Sequence, residues 1–247
     1  MEELEHTLFI VDLFNKIFSP PLVFLLKLVG IKVADPSKLI PAHIVISLIV
    51  MVFLILFLGL ASRKLKLLPS NLQQILEILV EGFESLLVDI IGEEGKKYLP
   101  LIGTLGLFIF FCNISGLIPG FMSPTSTLNV TVGCAVVAFI YYHWQGIKTH
   151  GVLGYLKHFM GPIPWLAPLL LPIELISHFS RPLSLSIRLF GNIFGEELLI
   201  LIIVSLIPFL VPLPFMVLAI FTALVQAFVF IVLTAIYIAG AVASEEH

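Results

Sequence analysis

Charged residues leave long gaps along the chain, and the gaps outline its elements. No Asp, Glu, Lys or Arg occurs between Lys38 and Arg63. About 20 apolar residues suffice to cross a bilayer, so residues 41–61 form the first predicted span. A second gap runs from Lys97 to Lys148. That stretch is too long for one helix through a hydrocarbon core of ~30 Å. Pro119-Gly120 and Ser123-Pro124 are turn signals within it and divide it into spans over 100–118 and 129–146. Tyr141, Tyr142 and Trp144 close the latter span as an interfacial aromatic belt.

Residues 70–92 follow a different pattern. Leu72, Ile75, Leu76, Leu79, Phe83, Leu86, Leu87 and Ile90 recur at helical spacing, and Glu77, Glu81 and Glu84 take the other face. This predicts an amphipathic interfacial helix rather than a span. Ser70 with Gln73 fits a capping box. Its polar face is acidic, which disfavours attraction to anionic lipid and leaves a partner's helix or solvent as its neighbour. Residues 1–40 read as an N-terminal interfacial segment, interrupted by Pro20-Pro21 and carrying Asp12, Lys16 and Lys27. The last third holds two long apolar stretches, 165–206 and 214–243, separated by Pro208, Pro212 and Pro214. A helix over 172–206 is ~50 Å long at 1.5 Å per residue, so it is strongly tilted, kinked at Pro182 or split.

Composition converts these spans into a fold class. Of 247 residues, 59% are hydrophobic and 12% charged, with a net charge of −3. Soluble domains carry about 25% charged residues. The chain is expected to be an all-α integral membrane protein, a single membrane domain over 1–247 embedded in the lipid bilayer. It has about five membrane helices plus the amphipathic one, and the last two form a long tilted hairpin. Nothing suggests nucleic-acid binding. Cys112 and Cys134 lie in apolar runs without metal-ligand or redox spacing and read as small buried hydrophobes. The seven His residues make no HExxH, and GxSxG and P-loop motifs are absent. No cofactor, metal site or catalytic nucleophile is predicted. Lys148 and Lys157 place the 147–160 loop in the cytoplasm by the positive-inside rule. The N-terminus then lies outside and the C-terminus inside.

The candidate chemistry sits in the last third. Between residues 158 and 244 there are five formal charges: Glu174, Arg181, Arg188, Glu196 and Glu197. A seven-residue spacing returns a helix to within about 20° of its start, so Glu174, Arg181 and Arg188 share a face, and His178 joins it. Glu197 is turned to roughly the opposite face, with Glu196 between. On a continuous helix Glu174 lies ~21 Å from Arg188 on one side and Glu197 ~13 Å on the other. An arginine in hydrocarbon costs ~3 kcal/mol on insertion scales, so Arg188 needs an anionic counterpart. Glu197 is too far to serve, and the anion can come from another chain. Arg181, followed by Pro182, reads either as a snorkelling interfacial residue or as part of the charged face. Gly191 and Gly195 form a GxxxG that permits close helix approach.

These residues carry a family resemblance. Arg181-Pro-Leu-Ser-Leu-Ser-Ile-Arg188-Leu-Phe-Gly-Asn192 closely resembles the signature of the membrane-embedded a subunit of bacterial F-type ATP synthases. Phe110-Phe-Cys-Asn113-Ile-Ser-Gly-Leu-Ile-Pro119, Asn129-Val-Thr-Val132, Gln226-Ala-Phe-Val-Phe230 and the terminal Ala-Ser-Glu-Glu-His extend the match. The resemblance implies a non-catalytic, proton-translocating stator subunit in the bacterial inner membrane. Its implied partners are a rotating ring of c subunits, met by the Arg188 face, and the b-subunit peripheral stalk. Two offset half-channels would load and unload the ring carboxylates. By position, Glu197 matches the carboxylate of the outer half-channel, helped by Glu196, and Glu174 matches one lining the cytoplasmic half-channel. Gln226 matches a glutamine near the arginine. Asn192, Ser184, Asn113 and Tyr237 match polar pathway positions, and His178 accompanies Glu174. Two departures stand out: Ala219 replaces a histidine and Gly116 an aspartate found in some members.

Other classes fit less well. A secondary transporter would use midplane charges and broken helices but predicts an internal repeat, and the last third has no echo in the first. An intramembrane hydrolase needs a Ser/His, Asp-pair or zinc-ligand set at helical spacing, which the chain lacks.

Overall fold

In the computed structural model, residues 9–28, 39–63, 70–118, 121–160, 167–207 and 210–243 are described. The sequence features at Lys32, Lys38, Lys64, Lys66, Pro119-Gly120, Pro208 and the final four residues lie outside them. The fold is all-α. Among the described residues seven α-helices follow in order: α1 (Phe9–Leu28), α2 (Ala42–Ser62), α3 (Asn71–Ile91), α4 (Leu99–Ser115), α5 (Leu128–Met160), α6 (Ala167–Leu206) and α7 (Pro212–Val242). Five segments of the described residues are long and apolar enough to span a membrane: Ala42–Ser62, Glu93–Ser115, Leu128–Tyr155, Pro168–Leu206 and Pro212–Val242. The chain is therefore an integral, multi-pass membrane protein.

Several local expectations are corrected. Helix α1 runs through Pro20 and Pro21 instead of breaking there. It is tied to the entry of α2 by Asn15, whose Nδ2 donates to the Ile40 carbonyl at 3.1 Å and whose Oδ1 accepts from the Ile40 N–H at 3.0 Å. One side-chain amide thus serves both backbone groups of a residue ahead of the helix. The capping box on α3 is not formed: Ser70 makes no side-chain cap bond, and Gln73 Nε2 donates forward to Glu77 Oε1 at 2.8 Å. Helix α6 is one continuous helix of 40 residues across Pro172 and Pro182, ~60 Å long and not split. Residues 147–160, read as a loop, are helical. The path breaks once at Gly151, whose φ of +71° suits glycine.

Small residues set how closely the helices pack. On α7, Ala219, Ala223, Ala227, Ala235 and Ala241 are buried, a seam of short side chains. Gly106 of α4 meets Ile231 of α7 so closely that a Cβ there would lie 2.2 Å from Ile231 Cδ1. The core has an apolar cluster around Tyr98, Tyr142, Ile231 and Ile238, and another around Ile109, Ala138, Leu189 and Phe230. A third joins α2 to α4 through Ile46, Val50, Leu54 and Cys112. Both cysteines are free and buried.

The amphipathic helix α3 packs on this core through one edge of its stripe. Leu87 is fully buried and Phe83, Leu86 and Ile90 lie against the first cluster. Leu72 and Ile75 of the same stripe stay exposed. A 3-10 turn, Glu93–Tyr98, returns the chain to α4. Its Gly95 touches the α3 backbone, where a Cβ would fall 2.3 Å from the Leu87 carbonyl oxygen. The Lys96–Glu84 pair at 2.9 Å is exposed and adds little. Replacing Gly95 by Ala must push α3 away from its seat. The variant should lose about 2 kcal/mol of stability, read as a lower thermal midpoint of the purified complex in detergent.

Candidate functional site

Two polar clusters occupy opposite ends of α6, with Arg188 between them. The first is built by α5, α6 and α7. Glu174 Oε1 lies 3.2 Å from His178 Nε2 and 4.0 Å from Arg181 Nη2. His178 is buried, and its Nδ1 is 3.0 Å from the Tyr142 hydroxyl. A neutral ring with its proton on Nε2 satisfies both contacts: it donates to the carboxylate and accepts from the phenol. Arg181 does not snorkel outward. Its guanidinium lies 5.2 Å from the Tyr237 ring centre and 6.0 Å from that of Tyr142, in the range of cation–π attraction.

Sequence reasoning placed Tyr142 in an aromatic belt, but it is 1% exposed and sits at the centre of this cluster. The same cluster includes His143 and Tyr155, which the sequence reading passed over. His143 Nδ1 is 2.8 Å from the Tyr155 hydroxyl, and the His143 and His178 rings are 5.1 Å apart. Glycines make this possible. The chain turns at Gly151, and Tyr155 returns over Gly146, where a Cβ would meet its ring at 2.4 Å. The signal lay in the Gly-x4-Gly-x3-Tyr spacing of 146, 151 and 155, which periodicity treats as ordinary helix.

The second cluster lies beyond Arg188. Glu197 Oε1 accepts the backbone N–H of Ser123 at 3.1 Å. Ser123 begins a short 3-10 turn, Pro124–Ser126, that plugs the space between α4 and α6. Its hydroxyl donates to the Cys112 carbonyl at 3.0 Å and lies 2.8 Å from Thr125 Oγ1. Thr125 Oγ1 donates to Asn113 Oδ1 at 2.6 Å, and Asn113 Nδ2 donates to the Ala223 carbonyl at 3.2 Å. Asn113 therefore ties α4 to both the turn and α7. Ser123 and Thr125 are further members that sequence reasoning did not select. Glu196 and Glu197 both line a cavity of about 420 Å³, walled by Asn113, Gly116, Ala219 and Ala223. Both departures from the resembled pattern, Gly116 and Ala219, face this one cavity.

Arg188 belongs to neither cluster. Its side is exposed, and it makes no ion pair among the described residues. Ser184 and Asn192, four residues to either side, are exposed on the same flank. A Cβ at Gly191 or Gly195 would meet nothing within 4 Å, so among the described residues this GxxxG packs against no other helix. Apolar Leu183 and Ile187 beside it are more than half exposed. Seven-residue spacing thus unites Glu174 with Arg181 but leaves Arg188 at the outer edge. Gln226 is half-buried on α7, which packs along α6. Among the described residues no group of three or more His, Cys, Asp or Glu could hold a metal ion.

Comparison with known proteins gives one consistent family. The family described as ATP synthase A chain matches residues 44–239. The chain is 51% identical over 199 residues to "ATP synthase subunit a 1" of Pelobacter propionicus, covering 81% of this chain and 86% of that one. It is 50% identical over 188 residues to "ATP synthase subunit a" of Campylobacter jejuni, covering 75% and 83%. A Geobacter sulfurreducens "ATP synthase subunit a" is 44% identical over 242 residues, covering 98% and 99%.

The hydroxyl network makes its own prediction. Thr125→Val keeps the shape but removes the buried donor to Asn113. It should cost about 1–3 kcal/mol, measured as a lower thermal unfolding midpoint in detergent, with Thr125→Ser recovering most of the loss.

Proposed function

Because the chain belongs to the ATP synthase A chain family, we propose that it is the proton-translocating stator subunit of the membrane sector, handing protons to and from carboxyls on a ring of c subunits. It is a channel component of the synthase and not itself the catalyst. The observation that carries this reading is Arg188: an exposed guanidinium on an apolar flank, followed by two glycines on the helix, with no ion pair among the described residues. A fixed cation in hydrocarbon calls for a partner's carboxylate, and the open glycine pair lets a partner's helix come close.

The two clusters then serve as the offset half-channels. The cavity lined by Glu196 and Glu197 opens the path on the outer side, and Asn113 shapes its wall. The Glu174–His178–Tyr142 chain, with Arg181 and Tyr237, lines the path on the cytoplasmic side. A ring carboxyl surrounded by lipid holds its proton, because burial disfavours the charge. Beside Arg188 it can release that proton, because the guanidinium stabilises the anion. Arg188 also separates the two paths, so protons cross only by riding the ring. Ser184, Asn192 and Gln226 supply polar groups around that passage. The driving force is ~2.3 kcal/mol per charge for each 100 mV of membrane potential, with the pH gradient added. A bacterial inner membrane and a b-subunit stalk complete the assembly. An ion-coupled secondary transporter is the weaker reading, since the relatives are synthase subunits and no repeat relates the two halves.

Two outcomes test the assignment. In reconstituted vesicles Arg188→Ala should abolish ATP-driven proton pumping while the soluble motor still hydrolyses ATP; coupled pumping at normal rates would refute the role. Glu197→Gln should lower passive proton conductance of the motor-stripped membrane sector by about tenfold or more. An unchanged rate would remove Glu197 from the path.

A further inference from the structure

We propose that the turn carrying Ser123 is a latch that positions Glu197 at the cavity, and that Gly116 is glycine in this chain because the latch needs its space. The inference rests on the reading of Glu197 as a half-channel carboxylate.

Ser123 and Glu197 are 74 positions apart, on different elements, yet the Ser123 N–H donates to Glu197 Oε1 at 3.1 Å. It is the sole hydrogen bond to the Glu197 carboxylate among the described residues. A backbone donor differs from a side-chain donor in one useful respect: it has no proton of its own to give up, so it orients a carboxylate without joining its titration. The donor is held firmly. Ser123 is 1% exposed, and its hydroxyl bonds span to Cys112 on α4 and to Thr125. Thr125 in turn bonds Asn113.

The turn can reach this place only against a bare backbone. A Cβ at Gly116 would lie 2.8 Å from Ser123 Cβ, 3.1 Å from Ser123 N and 3.3 Å from Ser123 Cα. These are near-rigid atoms rather than the tip of a flexible side chain. Any side chain at 116 therefore displaces the very residue that donates to Glu197. The φ of Gly116 is −66°, so conformational freedom is not the reason for glycine there; close approach is. Glu196 is the other titratable group on the cavity wall, and α4 and α7 contribute none to it. The orientation of Glu197 thus falls to the latch.

The same structure supplies a selective test. Ser123 has φ −69°, which proline adopts, so Ser123→Pro deletes the N–H, along with the hydroxyl, while keeping the backbone angle, and its difference from Ser123→Ala isolates the N–H. Ser123→Ala keeps the N–H and deletes the hydroxyl. In the whole synthase, reconstituted and then stripped of its soluble motor, passive proton conductance is measured from pH 5 to 9. Ser123→Pro should lower it about tenfold and change its pH profile, while Ser123→Ala keeps the unmodified profile. Gly116→Ala should act like Ser123→Pro, and Ser123→Gly added to it should restore part of the conductance by removing the closest clash, to the Ser123 Cβ. Equal loss in Ser123→Pro and Ser123→Ala would overturn the latch, because the hydroxyl would then be the working group. Unmodified conductance in Ser123→Pro or in assembled Gly116→Ala would also overturn it. If these variants fail to assemble, the Glu197 carboxylate stretch, identified against Glu197→Gln by infrared difference on the unmodified complex, decides. A hydrogen-bonded, shifted band supports the latch and a free carboxylate band refutes it. Glu197→Gln separates the two readings: if it alone leaves conductance unchanged, the half-channel role fails, whereas loss there with normal Ser123→Pro fails the latch alone.

Discussion

A bilayer offers no water to a stranded polar group, so each one inside it must find a partner within the protein or in a neighbouring chain. That constraint organises this molecule. Many of its polar side chains are gathered into two clusters along α6, whose carboxylates draw partners from α6 itself and from the turn at Ser123. Glu174 has His178 and Arg181, and Glu197 has the Ser123 N–H. Arg188, between them, has no ion pair among the described residues. On the proposed function, the partner of Arg188 is a carboxylate from outside the chain.

The clusters exist because small residues bring backbones together. The alanine seam of α7, Gly106 of α4 and Gly146 of α5 remove the side chains that would otherwise hold helices apart. Where they do so, long polar side chains can meet across helix boundaries instead of reaching for the membrane surface. Arg181 illustrates the result: caged between Tyr142 and Tyr237, it stays inside the helix bundle and close to Glu174. The same logic run outward explains the Arg188 flank. There the glycines meet nothing among the described residues, which leaves room for the close helix approach that the proposed function requires.

Helix α6 gains its meaning from its length. At 40 residues it carries the first cluster, the arginine and the second cluster in sequence on one continuous element. On the proposed function, such a rod holds two proton sites apart with a fixed cation between them. Splitting the helix at Pro182 would have cut that spacing loose.

Much of this was legible in the sequence. Gaps between charges marked the first three spans, long apolar stretches divided by prolines marked the last two, and the 3.6-residue period marked the amphipathic α3. The isolation of Arg188 in an apolar run identified the one residue whose cost needs a reason, and local order along the chain is enough for such inferences. The continuity of α6 through two prolines, the course of α1 across Pro20-Pro21 and the inward position of Tyr142 were not legible. Neither were the partners. Tyr142 and His178 are 36 residues apart, Ser123 and Glu197 are 74, and Asn113 and Ala223 are 110. Periodicity reports which face of a helix a residue occupies, but not which other face packs against it. Which helices meet, and at what distance, is set by the fit of glycines and alanines against larger neighbours across the bundle, and that fit exists only once the chain has folded.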